Sequence, residues 1–166
     1  MSRTVQSDFI QKAFLQALKA EGAIVEDMQQ VAARFSDSNA RKYFEHLGRA
    51  GRNVFFVKRV GLINVHVRSE LLGWWNVLTS VKEDFDELKK DSRLNHYFVF
   101  LVGRNDKYIA DGYIGSDFNA PPFTRHPSIE ATKFTINEKQ HLNPDERLSS
   151  ISKIAKVLIS SSESVK

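Results

Sequence analysis

The sequence predicts an α+β fold in which a helical N-terminal part packs with a mixed or antiparallel sheet and two further helices. Apolar residues recur every three to four positions through the first third of the chain, as they do on amphipathic helices. From residue 53 the period shortens to two, and strand-like and helical patterns then follow one another to the C-terminus. We expect residues 1–52 to form the helical part and residues 53–166 the α+β core of one compact unit.

Three helices are expected in the N-terminal part. They lie in residues 7–22, 25–35 and 40–51, and each has an apolar stripe at helical spacing. The opposite face of the third helix is charged and polar. It carries Arg41, Lys42, Glu45, His46 and Arg49.

A β-hairpin is expected next. Residues 53–59 and 62–69 alternate between apolar and polar side chains on either side of a turn at Val60–Gly61. Because successive side chains of a strand point to opposite faces, the second strand has one apolar and one polar face. The apolar face holds Ile63, Val65 and Val67, and the polar face holds Asn64, His66 and Arg68.

The remaining elements are a long helix, three strands and a closing helix. The helix is expected in residues 74–90, and the apolar run at 96–103 is typical of a central strand covered on both sides. Strands are also expected at 108–115 and, at a sheet edge, at 131–137. The closing helix is expected in residues 143–160, with Asn143 as its N-cap.

The only two tryptophans, Trp74 and Trp75, begin the helix expected in residues 74–90. Trp74 shares an apolar stripe with Leu78 and Val81, so we expect it in the core. Trp75 lies about 100° further around the helix, at the edge of that stripe, where it can stack on a base or pack at the sheet edge.

Composition limits the chemistry available to the chain. Its 166 residues include no cysteine, which excludes disulfides, thiolate ligands and a cysteine nucleophile and fits the reducing cytoplasm. The N-terminus lacks the apolar run of a signal peptide, and no stretch approaches the roughly 20 apolar residues that span a membrane. We expect a cytoplasmic protein with no membrane partner.

Positive charge is concentrated in one part of the sequence. The formal net charge is +4, yet residues 41–68 contain seven lysines and arginines against one acid, Glu45. A local basic patch is typical of a protein that binds a polyanion, although a solvated basic face gives the same pattern.

Motifs for metal or phosphate chemistry are weak. The five histidines show no ligand spacing such as His-Glu-x-x-His, so no metal site is predicted from them. The segment GRAG at 48–51 lacks the Gly-Lys-Ser/Thr of a phosphate-binding loop. In the proline-rich loop 115–128, Phe123, Arg125 and His126 can receive a planar ligand or form a rigid surface segment.

The order of elements across residues 39–103, a helix, antiparallel strands, a helix and a strand, resembles the core of restriction-endonuclease-like (PD-(D/E)xK) proteins. The resemblance implies a metal-dependent endonuclease with Mg²⁺ as cofactor, in which Glu45 matches the glutamate of the family's helix. The family's other acid and its Glu-x-Lys lie on the hairpin strands, where this sequence has no carboxylate and places Asn64, His66 and Arg68. The resemblance therefore also fits an inactive relative that serves as a recognition subunit.

One set of acids and a lysine remains for catalysis outside that core. Asp111, Glu130 and Lys133 combine two carboxylates with a lysine, and the last two have Glu-x-x-Lys spacing. They are the candidate catalytic residues if the protein is an endonuclease.

Binding of nucleic acid without catalysis uses more of the basic residues. Three helices followed by a hairpin is the order of a winged helix, whose third helix enters the major groove while the hairpin acts as a wing. We predict a nucleic-acid-binding protein, with duplex DNA expected over RNA, no cofactor and a possible homodimer. A protein-interaction module that binds an acidic partner is a further alternative. The predicted contacts are Arg41, Lys42, Arg49, Arg52, Lys58, Arg59, Asn64, His66, Arg68, Trp75, Arg104, Arg125 and His126.

Overall fold

The computed structural model describes residues 2–35, 38–104 and 109–164. Its helices are α1 (Ser2–Ala20), α2 (Met28–Arg34), α3 (Ser38–Leu47), α4 (Thr79–Ser92), α5 (Glu138–His141) and α6 (Ile151–Ser164), and a 3-10 turn spans Pro144–Glu146. Its strands are β1 (Val25–Asp27), β2 (Val54–Val57), β3 (Gly61–Ser69), β4 (Trp74–Leu78), β5 (His96–Arg104), β6 (Ile109–Gly115) and β7 (Lys133–Asn137). The predicted α+β class is confirmed.

Five strands form the main sheet, in the order β1-β2-β3-β5-β6. Neighbouring strands are antiparallel except for β3 and β5, which run parallel. Parallel neighbours need a crossover connection, and here β4 and α4 supply it. The hairpin is confirmed as β2 and β3, and the apolar run at 96–103 is confirmed as the strand β5, which lies inside the sheet.

Each face of this sheet has its own core. On one face, α1 and α6 cover Ile63, Val65, Val99 and Leu101. On the other face, α2, α3, α4 and the small β4–β7 sheet cover Leu62, Phe98, Phe100 and Tyr113. The alternation predicted for β3 is confirmed, because Asn64, His66 and Arg68 pair in register with Phe98, Phe100 and Val102 of the second face.

The N-terminal helices do not form a winged-helix unit. Helix α1 packs against α6, whereas α2 and α3 pack against each other on the opposite face of the sheet. Residues 25–27, predicted to begin the second helix, instead form β1 and pair with β2. Helix α2 starts only at Met28, because Asp27 accepts the backbone N–H of Gln30 and closes a capping box.

The prediction of a helix beginning at Trp74 is wrong. Residues 74–78 form β4, which pairs antiparallel with β7, and α4 begins at Thr79. Trp75 and Val77 enter the core, whereas Trp74 and Asn76 face outward. Trp74 is therefore 42% exposed and Trp75 only 2%, the reverse of the expected arrangement.

The closing helix also begins later than predicted. Asn143 does cap a turn, since its side chain accepts the backbone N–H of Asp145, but that turn is the short 3-10 segment. Leu148 then exchanges two backbone hydrogen bonds with Gly112 of β6, which keeps the chain extended. Helix α6 starts at Ile151. Within the described ranges, no helix is long and apolar enough to cross a membrane.

Candidate nucleic-acid interface

A polar cleft of about 380 Å³ lies beside the C-terminal half of β3. Strand β2 pairs with β3 only as far as Asn64, so the edge of β3 beyond that residue is not covered by β2. The cleft forms there, and its walls come from α1, the segment before β2, the polar face of β3, and β4. Its lining includes Asp8, Gln11, Arg52, Asn64, His66, Arg68, Trp74, Trp75 and Asn76.

Asn64 joins the floor of the cleft to its wall. Its side chain is 1% exposed, and its Nδ2 donates to the carbonyl oxygens of Arg52 at 2.7 Å and Asn53 at 3.3 Å. These two bonds place Arg52 at the edge of the cleft. They also orient Asn64 Oδ1 toward His66, whose Nε2 lies 2.5 Å away.

His66 is a neutral hydrogen-bonding group rather than a cation. Burial lowers its pKa to about 4, and its ring stacks on Phe100 with centroids 5.5 Å apart. Because Asn64 Oδ1 can only accept, the neutral ring donates from Nε2 and leaves Nδ1 as an acceptor. His66 was predicted to contribute to the basic surface, but it contributes no positive charge at neutral pH.

Arg68 is an internal ion-pair partner. It is 6% exposed, its Nη2 donates to Glu138 at the start of α5, and its Nη1 donates to the carbonyl oxygens of Ser69 and Leu72. Its guanidinium carbon lies 4.5 Å from the centre of the Trp75 ring. The charge of Arg68 is thus compensated inside the protein, although its buried Nε has no hydrogen-bond acceptor among the described residues.

The two tryptophans have different roles. Trp75 Nε1 donates to the carbonyl oxygen of Leu101 at 2.8 Å, which fixes β4 across the face of β5. Trp75 was predicted as a nucleic-acid contact, but its burial makes it part of the scaffold that holds Trp74. Trp74, which was expected in the core, presents an exposed ring at the wall of the cleft.

Three predicted cations lie at or near this part of the structure: Arg52 lines the cleft, Arg49 lines an adjoining hollow, and Lys42 of α3 lies near Asp84, as Arg52 does. We call Lys42, Arg49 and Arg52 the cationic rim. The backbone N–H of Arg52 bonds to the carbonyl oxygen of Arg49, and Arg49 lines a shallow hollow that shares Gly51 and Asn53 with the cleft. Burial raises the pKa of Asp84 on α4. The nearby charges of His46, Arg52 and Lys42 each act to lower that pKa. None of the three rim cations forms an ion pair with a described residue.

The other predicted basic contacts lie elsewhere. Arg41 pairs with Glu45 within α3 at 3.3 Å. Lys58 and Arg59 occupy the hairpin turn, just before Gly61, the first residue of β3. Gly61 lies about 23 Å from Arg68 along β3. The charges of the hairpin turn are therefore further from the C-terminal half of β3, where the cleft lies, than the Debye length of about 8 Å at physiological salt.

Two further predicted groups lie away from the rim. Arg104 pairs with Asp111 at 3.0 Å and with Glu70 at 3.6 Å. Arg125 and His126 are exposed in the loop before β7, where His126 Nδ1 donates to the carbonyl oxygen of Pro127. Phe123 of the same loop is buried against Phe118, so it is not available to stack on a ligand.

The candidate catalytic residues are not brought together. Asp111 on β6 is bound by Arg104 and by Arg147, at 3.0 and 3.3 Å. Glu130 and Lys133 are exposed at the N-terminal end of β7. Asp111 is on the same strand, β6, as Tyr113, and Tyr113 contacts Glu138 at the other end of β7. That end of β7 lies about 13 Å from Lys133. Among the described residues, no group of three or more His, Asp or Glu side chains is arranged to hold a metal ion.

Helix α1 supplies part of the site that the sequence did not indicate. Asp8 and Gln11 line the cleft, whereas Glu45, matched above to the family's helix glutamate, is exposed on α3 and pairs with Arg41. No local signal marks Asp8 or Gln11, because only the packing of α1 against β3 brings them to the cleft.

The sequence matches no protein-family model, and no curated protein is significantly similar to it.

Proposed function

We propose that the protein binds nucleic acid, with phosphates of the ligand held by the cationic rim and the chain of the ligand lying across the mouth of the cleft. The observation that carries this proposal is that Arg52 lines a polar cleft, Arg49 lines the adjoining hollow and Lys42 lies near the same Asp84 as Arg52, while none of the three forms an ion pair with a described residue. Positively charged side chains next to such a cleft attract a polyanion and give affinity that depends on salt.

The proposed activity is binding without cleavage. Hydrolysis of a phosphodiester with a metal ion needs carboxylates that converge on one point. The carboxylate of Asp111 is already held by two arginines, whereas Lys133 belongs to the small β4–β7 sheet and Glu130 to the loop before it. The described lining of the cleft contains a single carboxylate, Asp8.

A recognition subunit related to restriction-endonuclease-like proteins is the second candidate. Its support is the position of Asn64, His66 and Arg68, which line the cleft on the strand face where the resemblance places acids. Such a protein would keep the binding cleft of an endonuclease and lack its metal ligands. For either candidate we propose a cytoplasmic location, which is consistent with a chain that has no cysteine.

Matched double variants test the rim. We expect Arg49→Ala/Arg52→Ala to weaken binding of a labelled oligonucleotide at least about tenfold, because each charge-assisted hydrogen bond to phosphate contributes about 1.5–3 kcal/mol. Lys58→Ala/Arg59→Ala removes the same charge from the hairpin turn and should leave the affinity within about twofold. Fluorescence anisotropy measures both, and circular dichroism checks that both variants are folded.

Two results would count against the proposal. Equal losses in the two double variants would mean that only net charge matters and that the rim is not the binding surface. Failure of the intact protein to bind any duplex or single strand at low salt would instead favour the third class, a module that binds an acidic protein partner.

A further inference from the structure

We propose that the cleft receives one unpaired nucleotide, whose base stacks on Trp74 while its phosphate lies against Arg52. The inference rests on the proposed function and specifies its ligand: a single strand, or a duplex at a position where one nucleotide is unpaired, in preference to an intact duplex.

The size of the cleft favours a single nucleotide. A volume of about 380 Å³ is at the lower end of the range of roughly 300–1,000 Å³ that is usual for small-ligand sites. Proteins that read one base in a pocket of this kind take it out of the stack, because the base edges of an intact duplex stay within its grooves. The rim can contact the backbone of either ligand, whereas the cleft can be filled only by a nucleotide that leaves the stack.

Trp74 gives the cleft an exposed aromatic surface. Trp74 is 42% exposed, while its strand is fixed by the ladder with β7 and by the buried Trp75. Leu71, three residues earlier, is 93% exposed. Exposed aromatic rings beside positive charge are the usual platforms on which single-stranded bases stack.

The lining of the cleft offers complementary hydrogen-bonding atoms. The neutral ring of His66 presents Nδ1 as an acceptor, since Nε2 is engaged with Asn64. Gln11 of α1 lines the same cleft and carries a side-chain amide that can both donate and accept. A base edge or a sugar hydroxyl, which combines donors with acceptors, matches this pair better than a phosphate does.

Binding of three labelled DNAs to the full chain tests the inference. The probes are a short single strand, its blunt duplex, and the same duplex with one central unpaired nucleotide. We expect the single strand and the interrupted duplex to bind at least about tenfold more tightly than the blunt duplex. We expect Trp74→Ala to remove this preference and Trp74→Phe, which keeps an aromatic ring, to retain most of it. An RNA strand of the same sequence, measured in parallel, shows which sugar the cleft prefers, and tight binding of either strand supports the inference.

Tryptophan fluorescence gives a second readout. Because the chain has only two tryptophans and Trp75 is buried, quenching on addition of the single strand should come from Trp74 and disappear in Trp74→Phe. Equal affinities for the three DNAs that Trp74→Ala leaves unchanged would overturn the unpaired-nucleotide inference. If Arg49→Ala/Arg52→Ala still weakened binding of all three DNAs, the proposed function would stand and only the unpaired-nucleotide inference would fail. Absence of binding to every probe would reject both.

Discussion

At the scale of single residues, His66 and His96 show how the fold changes the chemistry of a side chain. Burial lowers the pKa of each to about 4, whereas an unfolded histidine has a pKa near 6.5. His66 lies in the cleft, and His96 packs between Phe85 and Phe98. The composition shows five histidines, but it does not show that these two are neutral.

These lowered pKa values predict how stability depends on pH. Between about pH 6.5 and 4 the unfolded chain binds protons that the folded chain excludes, so the free energy of unfolding falls as the pH falls through this window. Above pH 6.5 the two histidines make no such contribution. His96→Phe should reduce the loss between pH 7 and 4.5, because it removes one of the two groups that bind a proton in this window only in the unfolded chain. Urea unfolding at the two pH values measures this, and an equal loss in the variant would contradict the assignment.

Single residues could be predicted in part. The alternation that places Asn64, His66 and Arg68 on one face was visible in the sequence, because the strand period acts over neighbouring positions. Their burial and their partners were not visible, since Arg68 is neutralised by Glu138, far along the chain. A basic residue in the sequence is therefore a candidate for binding a ligand only when the fold leaves its charge uncompensated.

At the scale of elements, the ion pair of Arg68 and Glu138 connects the main sheet to the end of the small sheet. Arg68 belongs to β3, and Glu138 follows β7 directly and also accepts a hydrogen bond from Tyr113 at 2.7 Å. Burial and the carboxylate of Glu138 both raise the pKa of Tyr113. One side chain thus holds three elements together.

The variant Glu138→Gln tests this connection. It leaves the guanidinium of Arg68 buried without a counter-charge, and removal of one partner of a buried pair typically costs about 3–5 kcal/mol. We expect a loss of about 3 kcal/mol by urea unfolding, because Glu138 is partly exposed. The double variant Arg68→Met/Glu138→Gln should recover part of this lost stability. Tyr113→Phe should lower the free energy of unfolding by only about 1 kcal/mol. A change of less than about 0.5 kcal/mol in Glu138→Gln would show that solvent compensates Arg68.

Elements with strong local patterns were predicted, and those defined by distant pairing were not. The hairpin and β5 follow from period and composition alone. Residues 74–78 fit a helical stripe equally well, and they become β4 because β7 offers them a ladder, with Trp74 opposite Asn137. The same pairing reverses which tryptophan is buried, so one missed long-range contact changed the predicted aromatic residue of the site.

At the scale of the whole molecule, the fold divides the basic sequence patch into separate groups. The α+β class could be predicted, because helical and strand periods are distinct in the sequence. The grouping of the helices could not, because the packing partner of α1 is α6, at the other end of the chain. Of the predicted basic contacts, Lys42, Arg49 and Arg52 form the rim, while Arg41, Arg68 and Arg104 are engaged in ion pairs.

The salt dependence of binding tests the rim most directly. A plot of log binding constant against log salt concentration has a slope of about −0.9 per phosphate contact for a duplex and about −0.7 for a single strand. We expect Arg49→Ala/Arg52→Ala to make the slope less steep by about 1.4 to 1.8, the loss of two contacts, while Lys58→Ala/Arg59→Ala leaves it unchanged. Parallel lines for the intact protein and Arg49→Ala/Arg52→Ala would contradict the rim as the phosphate-binding surface.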